Sequence, residues 1–209
     1  MRTALLRLLL YVVLLLAGPS LSREVVTSAP VLPAKGSVQV AFAPWDDAES
    51  LVIETIASAR VQILVQAYLL TSHKIADSLI KARQRGVDVR VLADARQHED
   101  NPTSMLDWLV QNEIPVWLET RYRNAHNKIL LIDAGTTKPV VVSGSYNFTW
   151  SAQNMNAENL LLIKEHPELA RRYEINWQRH LQTATPYFSP EKNEFILHAQ
   201  CLACSSGRS

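Results

Sequence analysis

The stretch His126-Asn127-Lys128-Ile129-Leu130-Leu131-Ile132-Asp133, followed by Gly144-Ser145-Tyr146-Asn147, decides how this chain is read. Ile129 to Ile132 is a short continuous apolar block, the pattern of a strand buried on both faces. His126 and Lys128 are two apart, so a strand that included both would point them the same way. Asp133 is an odd number of positions on, which sends it to the opposite face or past the strand end. An imidazole beside an ammonium suits attack on a phosphodiester. The lysine neutralises phosphoryl oxygens, and the histidine supplies a nucleophile or a proton.

Working outward, strand and helix patterns alternate. Ser37 to Ala43 reads as a first strand, and Asp46 or Asp47 caps a helix running to about Ala59. Val61 to Tyr68 reads as a strand. Ser72 opens a helix to about Arg85, which Gly86 terminates. Val87 to Ala93 is the next strand, Thr103 to Asn112 a helix and Pro115 to Glu119 a strand. Lys128 to Asp133 and Pro139 to Ser143 flank a Gly135-Thr136-Thr137 turn. Leu160 to Ile163 is a last strand, and Pro167 to about Leu181 a last helix. The pattern predicts an α/β fold, a layered α/β/α sandwich around a mixed, mainly buried β-sheet, in a single domain. No internal repeat is visible.

The ends are of a different character. Arg2 and Arg7 precede and interrupt an apolar start, and Leu8 to Ala17 is unbroken apolar sequence. Gly18 and Pro19 break it, and Ser20-Leu21-Ser22 offers small residues to a signal peptidase, so residues 1–22 read as an export signal. The run is shorter than the ~20 residues of a membrane span. Residues 23–36 read as a linker, 37–183 as the domain and 184–209 as a tail. Loss of Arg2 and Arg7 with the signal would move the formal net charge from +1 to −1. Such a chain has no global pull on a polyanion, so a local basic patch must meet one. Cys201 and Cys204 lie in the tail. In an oxidising compartment they form a local disulfide or remain as two idle thiols, and neither state carries a function.

The combination of H-x-K-x4-D, the downstream G-S-x-N and Ala157-Glu158-Asn159 resembles the signature of the phospholipase D superfamily. Val38 to Pro44, Arg85-Gly86-Val87-Asp88-Val89 and Gly144 to Thr149 are similar to the small, exported, single-motif bacterial endonucleases of that superfamily. The resemblance spans roughly residues 37–183. It implies that His126 is the nucleophile, that Lys128 binds phosphate oxygens and that Asn147 donates its amide N–H to another oxygen. Ser145 orders this shell, and Glu158 accepts a proton from the far nitrogen of the histidine. Asp133 reads as structural support at the strand end.

Cleavage through a covalent intermediate also needs an acid, and one histidine cannot attack and protonate in the same step. Of the six histidines only His126 lies in an H-x-K setting. Two-motif members of the superfamily supply two such histidines, so a single-motif chain would obtain the second by forming a homodimer. No cofactor and no metal is expected, because no carboxylate cluster or H-x-x-x-H spacing is present. Nucleic acid is the expected substrate, DNA first and RNA second. Arg121 and Arg123 stand just before the motif, and Tyr146 offers an aromatic surface for a base. A phospholipase D acting on phospholipid head groups is the rival reading, and a non-catalytic nucleic-acid-binding protein is a third. The mature chain is expected in the periplasm or outside the cell, without a stable membrane span.

Overall fold

Residues 29–188 are described by a computed structural model. The expected signal, residues 23–28 of the linker, His198, Cys201 and Cys204 lie outside the described residues. From Ser37 onward the elements run β1 (Ser37–Ala43), α1 (Ala48–Ser58), β2 (Gln62–Ala67), α2 (His73–Gln84) and β3 (Asp88–Asp94). They continue with α3 (Ala95–Glu99), α4 (Leu106–Gln111), β4 (Val116–Glu119), β5 (Lys128–Ile132) and β6 (Val140–Gly144). α5 (Trp150–Asn154), β7 (Glu158–Lys164), α6 (Pro167–Leu181) and β8 (Thr185–Tyr187) complete the order.

The helix ends follow local chemistry. Asp47 caps α1 by accepting from the Ser50 N–H at 2.9 Å, and Ser72 caps α2 through the Ile75 N–H at 3.3 Å. Gly86, at φ +89°, takes the left-handed position that ends α2. His166 caps α6 through the Leu169 N–H, with Pro167 at the first helical position.

All eight strands form one sheet in the order β1-β7-β6-β5-β2-β3-β4-β8. β2, β3 and β4 are mutually parallel, and the other neighbours are antiparallel. One face packs on α1, α2, α4 and α5 through Val52, Ile56, Ile75, Leu79, Leu109 and Ala152. The other carries α6, whose Ala170 and Trp177 bury against Leu64, Leu92, Leu131 and Val141. Trp177 fixes that helix by donating its indole N–H to the Val65 carbonyl at 3.0 Å. The layered α/β/α architecture with a mixed sheet is therefore the observed one. Among the described residues no helix is long and apolar enough to cross a membrane.

The differences from expectation are local. The helix expected over Thr103–Asn112 starts only at Leu106, and the short α3 and α5 are additional. The sheet also continues beyond residue 183, into what reads in sequence as a tail. β8 pairs with β4 through Leu118↔Thr185 and Trp117↔Pro186. Three residues with a central proline leave no alternation to see, and proline is tolerated here because the strand is an edge.

Candidate active site

The strand directions gather the motif at one end of the sheet. β2, β3 and β4 finish there, at Ala67, Asp94 and Glu119, while β5 and β7 begin there, at Lys128 and Glu158. The carboxyl ends of parallel strands are where open α/β sheets place their ligands. β5 starts at Lys128, so His126 precedes the strand rather than lying on it. The two side chains nevertheless meet, with Lys128 Nζ 3.0 Å from His126 Nδ1 and donating to the His126 carbonyl at 3.1 Å.

The two differ in exposure. His126 is exposed, whereas Lys128 is 5 % exposed. Burial lowers the Lys128 pKa to about 8, opposed by the nearby Glu158 charge. Tyr68, the residue after β2, lies against both. Its ring centroid is 4.3 Å from that of His126 and 4.6 Å from the Lys128 ammonium. Sequence reading placed Tyr68 only as the end of a strand. An aromatic at the carboxyl end of a parallel strand was the signal available.

The G-S-Y-N-F-T segment alternates in function as it runs. Gly144 lets it approach β7, since a Cβ there would stand 2.2 Å from the Asn159 carbonyl oxygen. Ser145 is exposed, and its hydroxyl accepts from the Asn159 backbone N–H at 3.0 Å and from the Asn159 side-chain amide at 3.2 Å. Asn147 is half-buried, with its Oδ1 unpartnered among the described residues. Thr149 caps α5 through the Ala152 N–H. Phe148 is buried, and its carbonyl accepts from the Thr71 and Ser72 N–H groups at 3.0 Å.

Tyr146 corrects the sequence reading. It is 0 % exposed and cannot stack on a base, because it and Phe148 are the anchors of the segment while Ser145 and Asn147 are its accessible members. Its hydroxyl is unpartnered and held well above the usual phenol range, first by burial and then by the Glu49, Asp47 and Glu158 charges. Arg121 and Arg123 are exposed on the segment leading from β4 to His126.

Glu158 is half-buried and accepts from the Asn156 side-chain amide at 3.0 Å. His126 Nδ1 has Lys128 as its near neighbour, so the expected carboxylate–imidazole contact is not the one formed within this chain. Asp133 sits at the far end of β5 with φ +52°. Its carboxylate accepts from the backbone N–H groups of Arg60, Val61 and Gln62 at 2.8–2.9 Å. It therefore clips the start of β2 and is remote from the reacting end.

The other histidines serve elsewhere. His98 pairs with the Ser104 hydroxyl and His180 with buried Glu119. Lys74, next to His73, bonds Glu49 at 2.9 Å. Among the described residues no group of three or more His, Cys, Asp or Glu is placed to hold a metal ion.

An exposed imidazole backed by a buried ammonium, at the carboxyl end of the parallel strands of an α/β/α sandwich, suits phosphodiester chemistry. Comparison with known proteins agrees. The family profile described as "Cardiolipin synthase, PLD-like domain" matches residues 52–181, and the chain belongs to this family within the phospholipase D superfamily. It is 38 % identical over 144 residues to a phospholipase D of Rickettsia prowazekii, covering 69 % of this chain and 67 % of that one. Its fold is similar to the crystal structure of Nuc, a phospholipase D family member from Salmonella typhimurium. The TM-score is 0.69 with 31 % identity, over 74 % of this chain and all of that one. NucT from Helicobacter pylori shares the fold at a TM-score of 0.64 and 23 % identity, over 73 % of this chain and all of that one. The protein is a phosphodiester-cleaving hydrolase of this superfamily.

Proposed function

We propose that the protein is an exported, metal-independent endonuclease that cleaves DNA, and RNA secondarily, through a covalent phosphohistidine in a homodimeric site. The observation that carries this reading is the exposed His126 ring with the Lys128 ammonium 3.0 Å from its Nδ1. Lys128 supplies the fixed positive charge that a divalent ion would otherwise supply.

In the first step, Nε2 of one His126 attacks phosphorus, and the bond to the leaving oxygen breaks. That oxygen takes a proton from the partner's His126. In the second step, water gives a proton back to the partner's His126 and attacks phosphorus. The P–N bond then breaks, which releases a phosphomonoester and restores both histidines. Lys128 and the Asn147 amide hold the non-bridging oxygens, Ser145 orders that shell, and Arg121 and Arg123 meet the flanking backbone. Glu158 receives the Nδ1 proton of whichever histidine attacks.

A phospholipid substrate is the second reading, favoured by the name of the rickettsial relatives. The two are separated by incubating the purified protein in EDTA with supercoiled plasmid and, in parallel, with phosphatidylcholine vesicles. Plasmid nicking without choline release supports the nuclease. Choline release without nicking supports the lipase. Activity lost in EDTA and restored by magnesium refutes the metal-free mechanism.

A further inference from the structure

Lys and Arg number 21 against 20 Asp and Glu, so any hold on a polyanion beyond the reacting phosphate needs a patch where cations stand without carboxylates. One flank of α6 is such a patch. It forms a shallow groove lined by Leu169, Arg172, Tyr173, Ile175, Asn176 and Arg179. Arg172 and Arg179 are both exposed. Seven residues set them on one side of the helix, about two turns or roughly 10 Å apart. Glu168 and Glu174 of the same helix are not among the lining residues. Leu169 and Tyr173 are half-buried against the cluster that holds Trp177, and they form the floor.

The groove leads to the reacting end. His180 ties the end of α6 to β4 by pairing through Nδ1 with the buried Glu119 carboxylate, which also accepts from the Gln66 amide at 3.0 Å. The His180 ring also meets Tyr122, with centroids 5.3 Å apart and planes tilted by 38°. Tyr122 is 43 % exposed and stands between the exposed Arg121 and Arg123, on the segment that runs into His126. Cations and an aromatic ring thus follow one another from that segment, across His180, to Arg179 and Arg172. This is the composition of a surface that tracks a single strand, with guanidinium groups for phosphates and a ring face for an unstacked base.

We infer that this flank of α6, joined to the reacting end through Tyr122 and His180, is a second nucleic-acid contact. It takes the phosphate backbone of a single strand at a distance from the scissile bond. The inference rests on the nuclease reading above and adds to it a surface outside the reacting groups. A single strand is favoured over a duplex because a base must be unstacked to cover the Tyr122 ring. A bilayer is disfavoured because Leu169 and Tyr173 are sunk into the fold, which leaves Ile175 as the exposed apolar side chain of a groove rimmed by arginines.

The test compares the wild type with Arg172→Gln/Arg179→Gln and with Tyr122→Ala, each checked for folding by circular dichroism. Binding is read by fluorescence anisotropy in EDTA over a salt series, with His126→Asn added to every chain so that the strand survives. The probes are labelled oligothymidylates of about 4 and about 20 nucleotides, which bracket the reach of such a surface. The long strand should bind more tightly than the short one, and the double variant should lose most of that gain. Its slope of log affinity against log salt should be smaller by about 1.4, two contacts at about 0.7 each. Tyr122→Ala should weaken the long strand about 5-fold or more through the lost stacked base. With His126 intact, the double variant should hydrolyse bis(4-nitrophenyl) phosphate at the wild-type rate. Wild-type affinity and salt slope in the double variant overturn the α6 contact and leave a plasmid-nicking wild type as a nuclease. A wild type that neither binds the long strand nor nicks plasmid overturns both readings. Tighter binding of a duplex of equal length overturns the single-strand assignment. Co-sedimentation with phosphatidylglycerol vesicles that is lost in the double variant, with strand binding unchanged, assigns the flank to a bilayer instead.

Discussion

Lys128 approaches His126 from the Nδ1 side, at 3.0 Å, and this contact sets the chemistry of the ring. A protonated lysine has donors and no lone pair, so it can only donate to Nδ1. The ring proton then sits on Nε2, and this neutral tautomer has no lone pair there with which to attack. The attacking form needs a free Nε2 lone pair and therefore an Nδ1–H that donates elsewhere, and Glu158 is the acceptor named for that state. In this structure Glu158 accepts from Asn156 instead. Attack by His126 thus requires Nδ1 to exchange Lys128 for a hydrogen-bond acceptor.

The pH dependence follows from Lys128. Its pKa is lowered to about 8 by burial, so the charge that binds phosphate is present below that pH and is lost as pH rises through it. The rate on an activated phosphodiester should therefore fall on an alkaline limb near pH 8. Lys128→Ala should remove the limb together with most activity, about 2–4 kcal/mol of barrier. A limb in the wild type near the ordinary lysine value would show that the ammonium is not buried in solution.

Stability should move the other way. Between about pH 8 and the ordinary lysine value the unfolded chain binds a proton that the folded chain does not, so this group makes stability rise with pH there. Lys128→Met should accordingly raise the melting temperature at pH 7 while abolishing turnover. A lower melting temperature in that variant would mean that the charge contributes to the fold.

Tyr68 should matter as a ring rather than as a phenol. Tyr68→Phe keeps the contacts to both the imidazole and the ammonium and should retain near wild-type kcat. Tyr68→Leu loses the cation–π contact, worth about 1–2 kcal/mol, or roughly 5–30-fold in kcat. It should also admit water to Lys128 and move the alkaline limb upward. An unchanged limb in a slow Tyr68→Leu enzyme would reduce Tyr68 to packing.

Asp133→Ala should separate stability from catalysis. It leaves the N–H groups of Arg60, Val61 and Gln62 without their acceptor, at a cost of about 2–4 kcal/mol by urea unfolding. Activity per folded molecule should be unchanged, because the carboxylate lies at the opposite end of β5 from Lys128. A large fall in kcat at full folding would assign it a part in the reaction.

These residues also show what sequence could and could not convey. The capped helices α1, α2 and α6 and the apolar strands β2, β3 and β5 were legible because cap, periodicity and burial agree over many residues. α3 and α5 span five residues each, less than two helical turns, so no period can establish itself. The motif told which residues gather at the sheet end. It did not tell that Tyr146 turns inward, since an aromatic between Ser145 and Asn147 reads equally as anchor or as surface. Nor could it show Tyr68, whose role arises only when the ends of β2 and the start of β5 lie side by side.

The shared site makes its own prediction in mixed populations. If one His126 attacks and the other donates, a subunit carrying His126→Asn disables the dimer it enters. Mixed in equal amounts with wild type and allowed to exchange at random, about a quarter of the dimers keep both histidines, as two-fold assembly dictates. Plasmid cleavage should then fall to about a quarter of that of undiluted wild type at the same total protein. Independent sites would instead retain about a half. The pH profile of the wild type should also be bell-shaped, because one ring must be free of its proton while the other carries one. Half-activity in the mixture, once subunit exchange is confirmed with a tagged chain, would show that a single His126 performs both steps.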